Sequence, residues 1–395
     1  TDQAGNTALA ESTNPFYIVS PNPDSVRTLV LWHSGRTPGG AGAFLTSLQN
    51  LADHPRVQGL VIDLAGVTGL APLYAAWDAS TASHPTNAAG WASNAMLANG
   101  VLFDPENGLH AYLLSSVLPA YTGVRYVVLV GGDDAIPFAR VSDGTTLLPE
   151  STYAGPSSPS LTPASPVGMA LAAGLFLSED PLAVRDAVTP AMLSSGETFL
   201  PDLSVGRLVE TPAEITRAVA TFIGQDGVLD LTDPAKFDPV TGHKVLATGY
   251  DFLSNVAARV RARWKSALGL STPDGSTAPV NGALLGDGWG LPDVPARRAA
   301  LAEALAGRYG VLSLSGHATH FEEGVPGTSA HDIQGLPASS LYGIDAANPC
   351  TAGNPPAPDL SGSVVYAVGC HGGLSVPGSC QADADNSLDL PQTFL

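Results

Sequence analysis

Two side chains with the chemistry of a nucleophile and a base stand at the ends of apolar runs. Cys370 follows the run 364–369, and His317, 53 residues upstream, follows the run 311–316. Such runs predict buried strands, and parallel α/β sheets carry their chemistry at the carboxyl ends of their strands. A thiol attacks as the thiolate, and a neighbouring imidazolium lowers its pKa and later protonates the leaving group. The pattern therefore predicts a Cys–His dyad.

The composition predicts a globular, acidic protein. The chain has 395 residues, 44% of them hydrophobic, which is enough for two or three domain-sized units. With 36 acidic and 17 basic side chains the net charge is -19, and we expect no basic patch that would neutralise the phosphates of a nucleic acid. No apolar stretch reaches the roughly 18 residues of a membrane-spanning helix, so we expect no membrane span.

Strand-like and helix-like segments alternate along the chain. Residues 28–32 and 59–64 have the pattern of buried strands, residues 41–54 that of a helix between them, and residues 125–130 that of a further strand. This alternation is typical of an α/β fold with mostly parallel sheets.

Turn-rich segments predict the domain organisation. Residues 143–166 are rich in Ser, Thr, Pro and Gly and predict a long surface loop. Turn signals across 226–243 mark the predicted boundary between an N-terminal α/β subdomain, 1–232, and a catalytic subdomain, 233–395.

A further pattern is carried by four short segments, residues 126–138, 203–207, 315–318 and 367–370. Together these segments resemble the gingipain-type cysteine peptidases, members of the wider group that includes caspases, legumains and clostripain. The spacing of the dyad also fits the caspase pattern, in which the His precedes the Cys by roughly 50 residues. The resemblance implies a caspase-like α/β/α sandwich of two side-by-side subdomains.

The resemblance also implies a role for each site residue. Cys370 corresponds to the nucleophile of a cysteine endopeptidase and His317 to its general acid/base, while the backbone amides of Ala318 and Cys370 correspond to the oxyanion hole. Asp251 corresponds to the acid that binds a basic side chain, so cleavage of protein or peptide substrates after Arg or Lys is expected. The family implies a secreted or cell-surface location and no required cofactor.

The chain departs from the family pattern at three places. Ala318 stands where the family usually has Gly, and the acidic residue that supports the His in some members falls near Tyr250. The family domain also continues beyond the Cys with a helix and a closing strand, of which only residues 386–395 are present in this sequence. Asp251 has a second interpretation, as an N-cap residue of the following helix.

Other functions fit parts of the same pattern. A sortase-like transpeptidase would use the same dyad and let an amine resolve the acyl-enzyme, and a catalytically inactive binding module could share the fold. The histidines His317, His320, His331 and His371 raise the alternative of a zinc-dependent hydrolase, which the spacing of the first two disfavours.

Three further features keep two interpretations each. Cys350 and Cys380 form either a disulfide, in an oxidising compartment, or two free thiols. The run Asp383–Asn386 is either a Ca²⁺ site, since oxygen ligands alternate along it, or a solvated loop, since it lacks the Gly and terminal Glu of an EF-hand loop. The segment Gly131–Asp134 is either a structural turn or a cation site, because its adjacent carboxylates would repel a phosphate.

Overall fold

A computed structural model of the chain describes most of both predicted subdomains. The described residues are 23–37, 42–147, 149–154, 163, 165–229, 245–267, 283–306, 309–327, 333–338, 344–345, 348–352, 360, 362–369, 372–373 and 391.

The N-terminal part of the chain forms a parallel four-stranded sheet flanked by helices. Its strands pair in the order β2-β1-β3-β6, all parallel, and β4 pairs with β5 in an antiparallel ladder. The strands are β1 (Thr28–Trp32), β2 (Gly59–Asp63), β3 (Tyr126–Val130), β4 (Ala139–Ser142), β5 (Leu175–Ser178) and β6 (Ser204–Leu208). The helices are α1 (Ala43–Asp53), α2 (Leu70–Ala82), α3 (Ala88–Phe103), α4 (Leu109–Tyr112), α5 (Pro166–Ala172), α6 (Pro190–Ser194) and α7 (Pro212–Gly224).

The second part contains another parallel four-stranded sheet, in the order β14-β9-β7-β8. Two antiparallel pairs, β10 with β11 and β12 with β13, accompany it. The strands are β7 (Val245–Gly249), β8 (Ala283–Leu285), β9 (Val311–Ser315), β10 (Glu322–Pro326), β11 (Ile333–Pro337), β12 (Ile344–Asp345), β13 (Asn348–Ala352) and β14 (Val364–Val368). The helices are α8 (Ser254–Ala267) and α9 (Val294–Leu305).

The two helices of the second part cover opposite faces of its sheet. Gly249 at the end of β7 packs so closely on α8 that an added Cβ would lie 2.4 Å from the Cβ of Ala257. Leu246 and Leu312 instead share a buried cluster with Leu301 of α9. Because alternate residues of a strand point to opposite faces, this part has three layers, helix, sheet and helix. The predicted α/β class and its parallel sheets are confirmed.

The chain divides into two compact units between residues 216 and 217, within α7. The predicted boundary at 232/233 lies in 230–244, outside the described residues, and stays a prediction. In the predicted loop 143–166, the described part includes a 3-10 turn at Glu150–Tyr153 and the first residue of α5. None of the described helices is long and apolar enough to cross a membrane.

A buried ion pair fixes the segment Gly131–Asp134 after β3. Arg140 Nη2 lies 2.6 Å from Asp133 Oδ2, and the two side chains are 0% and 1% exposed. Arg207 donates to two carbonyl oxygens of the segment at 2.9 and 3.0 Å. The carboxylate of Asp133 therefore neutralises a guanidinium group, which favours the interpretation of this segment as a structural turn over a cation site.

Candidate functional site

Three segments leave the second sheet side by side at the carboxyl ends of its strands. Gly249 pairs with Ser315, and Ser315 pairs with Val368, so β7, β9 and β14 end at the same level. The residues that follow these three strands therefore meet at one edge of the sheet. This is the edge where open α/β sheets carry their binding sites.

The segments after β9 and β14 are in close contact. The amide of Gly316 donates to the carbonyl oxygen of Val368 at 3.2 Å. At Gly369 an added Cβ would lie 2.5 Å from the Cβ of Ala318, so this approach requires a glycine. Cys370, the next residue, lies outside the described residues, and its distance from His317 stays a prediction.

His317 is held by both its backbone and its ring. Its amide donates to the hydroxyl oxygen of Tyr250 at 3.1 Å, and its carbonyl oxygen accepts from the amide of Gly324 at 2.7 Å. The imidazole ring lies 5.9 Å, centroid to centroid, from the rings of both Tyr250 and Phe252. These contacts fix the position of the imidazole at the end of β9.

One nitrogen of the imidazole is buried, and the described residues offer it no hydrogen bond. Nε2 of His317 has no hydrogen-bond partner among the described residues. Buried polar atoms in folded proteins are nearly always hydrogen-bonded, and an exception at a strand end suits a group that exchanges a proton with a substrate or a nucleophile.

Tyr250 lies in the region where some members of the gingipain-type family carry an acidic residue that supports the catalytic His. Burial raises the pKa of its hydroxyl to about 12, so the side chain is a neutral phenol across the physiological range. Its oxygen accepts from the backbone of His317 rather than from the imidazole ring. Tyr250 thus orients the histidine through the main chain, which the sequence pattern did not indicate.

Ala318 is the residue whose backbone amide is predicted to contribute to an oxyanion hole. Its position opposite Glu323 is an isolated antiparallel bridge, and the flanking hydrogen bonds use other amides of the segment. The amide of Ala318 makes no hydrogen bond with a described residue. Ala318 is not among the described residues with a positive φ, so the chain does not need the usual glycine there.

Asp251 lies at the same edge, directly after β7. It is the first residue of a 3-10 turn, Asp251–Leu253, and it has a φ of 53°. The N-cap position of this turn belongs to Tyr250, which makes no side-chain capping hydrogen bond. The structure thus brings Asp251 to the edge that carries His317, and its role in substrate selection stays a prediction.

A buried carboxyl group lies beneath the histidine segment. Glu323 on β10 is 1% exposed, and its Oε1 would lie 3.3 Å from a Cβ added at Gly316. Burial raises the pKa of Glu323 to about 8, so the carboxyl is mostly protonated at neutral pH. Sequence reasoning missed Glu323. The one indication in the sequence was the position of this Glu next to the apolar residues of a short strand.

The described residues contain no group of three or more His, Cys, Asp or Glu side chains that could hold a metal ion. His320 is buried, whereas His331 and His371 lie outside the described residues, as do Cys380 and the run 383–386. Only the backbone of Cys350, within β13, is described. The zinc, calcium and disulfide interpretations therefore stay predictions.

Comparisons of the chain with protein-family models, with curated proteins and with solved structures found no significant match in any of the three. The resemblance to gingipain-type peptidases therefore stays a hypothesis based on four short segments.

Proposed function

We propose that the chain is a cysteine endopeptidase in which Cys370 is the nucleophile and His317 the general acid/base. One observation carries the proposal. His317, whose buried Nε2 has no hydrogen-bond partner in the described part of the chain, follows the strand β9, and its segment contacts Gly369, the residue that immediately precedes Cys370. We therefore expect the thiol of Cys370 to lie close to the imidazole.

The proposed reaction is acyl transfer in two stages. The thiolate sulfur of Cys370 bonds to the peptide carbonyl carbon, and the carbonyl electron pair moves to the oxygen, which accepts from the amides of Ala318 and Cys370. The C–N bond then breaks as the imidazolium of His317 gives its proton to the departing amine. In the second stage His317 takes a proton from water, the hydroxide attacks the thioester carbonyl, and the C–S bond breaks to release the acid and the thiolate.

Asp251 is the proposed selector of a basic side chain at the cleaved bond. A carboxylate accepts paired, charge-assisted hydrogen bonds from a guanidinium group, which favours Arg over neutral residues. The net charge of -19 also attracts basic substrates, although it does not select among them. Substrates of this kind, proteins and peptides outside the cell, accord with a secreted or surface location.

The test is cleavage of fluorogenic peptides that differ only in the residue before the scissile bond. We expect turnover after Arg and Lys under reducing conditions, loss of all turnover in Cys370→Ala, and unchanged turnover in the matched thiol control Cys380→Ala. Asp251→Asn is expected to lower kcat/KM for Arg peptides by roughly tenfold or more, through loss of a charge-assisted pair.

Other outcomes separate the alternatives. Turnover that survives in Cys370→Ala contradicts the thiol mechanism. Turnover of neutral peptides that Asp251→Asn leaves unchanged removes Asp251 as the selector. Product masses that show a new amide bond in the presence of an added amine identify transpeptidation, and no turnover by the folded chain favours a binding module.

A further inference from the structure

Three arginine residues line one groove of the first unit. The groove has a volume of about 600 Å³ and its lining includes Arg27, Arg125 and Arg185 together with Asp202 and Ser204. We call it the arginine groove. Three of the 17 basic residues in a chain of net charge -19 thus line a single cavity.

The arginine groove lies at the amino ends of the parallel strands. Arg27 precedes β1, Arg125 precedes β3, and Ser204 is the first residue of β6. In open α/β sheets ligands usually bind at the carboxyl ends, where this sheet instead has the turn fixed by the ion pair of Asp133 and Arg140. The groove is therefore not the site that the fold class alone would predict.

The guanidinium groups of the groove are held in place but not neutralised. Arg27 Nη1 donates to the carbonyl oxygen of Gly123 at 3.1 Å, and Arg185 Nη2 donates to that of Val124 at 2.7 Å. The side chain of Arg125 makes no hydrogen bond with a described residue, and no described carboxylate forms an ion pair with any of the three. Most of their donors therefore stay available for a ligand.

One carboxylate lines the groove as well. Asp202 Oδ2 accepts from the backbone amide of Arg185 at 2.8 Å, so its position is tied to the loop that carries this arginine. The lining therefore has three cations and one carboxylate, which leaves an excess of positive charge. Like charges that line one cavity repel one another, and an anion bound there reduces this repulsion.

From this geometry we propose that the arginine groove binds a small dianion, a phosphate or a dicarboxylate. Guanidinium groups recognise both through paired N–H···O hydrogen bonds, and a cavity of this volume suits a small molecule. The hydroxyl group of Ser204 is a further donor in the lining. This inference does not depend on the proposed peptidase activity.

The test is isothermal titration calorimetry of the full chain with inorganic phosphate and, separately, with succinate, at an ionic strength of about 0.1 M. We expect saturable binding of at least one probe, and the preferred probe identifies the anion class. Arg125→Ala and Arg185→Ala are expected to weaken binding by roughly tenfold each, because each loses charge-assisted hydrogen bonds. Arg36→Ala removes the same charge in the same unit, but Arg36 follows the carboxyl end of β1, at the opposite end of the sheet from the groove. At an ionic strength of about 0.1 M, where charges more than roughly 10 Å apart are largely screened, it is expected to change binding less than about twofold.

Asp202→Asn is expected to change the affinity for the anion in the opposite direction. Its amide oxygen can still accept from the backbone of Arg185, while the loss of one negative charge is expected to strengthen anion binding by about threefold or more. Circular dichroism of each variant checks that the chain is folded. The proposal is overturned if neither probe binds saturably to the unmodified chain, if Arg36→Ala weakens binding as much as Arg125→Ala, or if Asp202→Asn weakens it.

Discussion

The buried carboxyl of Glu323 makes the stability of the second unit depend on pH. In the folded chain Glu323 keeps its proton up to about pH 8, whereas its ordinary pKa is 4.5. Between these values the folded state holds more protons than the unfolded state, so the free energy of unfolding falls as pH rises. Since each pKa unit corresponds to about 1.4 kcal/mol, the loss is at most about 3 kcal/mol by pH 7 and about 5 kcal/mol above pH 8.

Glu323→Gln removes the ionisable group and keeps its shape. We expect the variant to lack this pH dependence, so that its advantage over the unmodified chain grows from about zero near pH 4 to about 3 kcal/mol at pH 7. Glu303→Gln, on the exposed side of α9, is the matched control and should leave the pH dependence unchanged.

The assay is hydrogen exchange of peptides that cover β9 and β10, measured across a urea series at each pH. It reports on the second unit alone, which matters because a chain of two compact units need not unfold in one step. The reasoning is refuted if the stability curves of Glu323→Gln and the unmodified chain run parallel between pH 4.5 and pH 8.

Two further substitutions and one control substitution test which contacts stabilise the site and the first unit. Tyr250→Phe keeps the ring but removes the oxygen that accepts from the amide of His317. We expect urea unfolding to show a loss of about 1 kcal/mol in stability. We expect peptide turnover to show a roughly tenfold lower kcat/KM, with KM little changed. Asp133→Ala leaves the buried guanidinium of Arg140 unpaired and is expected to destabilise the first unit by about 3–5 kcal/mol. Asp78→Ala breaks an exposed ion pair and is expected to lower the stability of the first unit by less than about 1 kcal/mol. Equal losses of stability in Asp133→Ala and Asp78→Ala, measured by hydrogen exchange, would contradict the account.

The local elements could be predicted because their patterns are strong. The helix predicted over 41–54 is α1, and the apolar runs before His317 and Cys370 contain β9 and β14. Continuous apolar runs are typical of parallel strands, so length and flanking glycines were enough to identify both strands. The predicted burial is confirmed for β9 and wrong for β14, which lies at the edge of the sheet and exposes Val364, Tyr366 and Val368. Because β9 and β14 pair as neighbours in register, the two strands end at the same edge of the sheet.

Two of the features that sequence reasoning missed depend on contacts between residues that are distant in the sequence. Tyr250 accepts a hydrogen bond from His317, 67 residues further along the chain. Glu323, by contrast, is placed against Gly316 by a local turn of its own segment. The arginine groove joins residues 27, 125 and 185, whereas the composition led us to expect no basic patch. A net charge counts side chains and contains no information about which of them the fold brings together.

The pairing of Cys370 with His317 is the central claim, and the rate of thiol alkylation against pH tests it most directly. Mass spectrometry of the iodoacetamide-treated chain follows Cys370 separately, with Cys350 and Cys380 as internal controls. We predict that Cys370 reacts as a thiolate well below its ordinary pKa of about 8.5, and that His317→Ala slows its alkylation at pH 6 by roughly tenfold or more. The dyad is contradicted if the alkylation rate of Cys370 has the pH dependence of an ordinary thiol in both proteins.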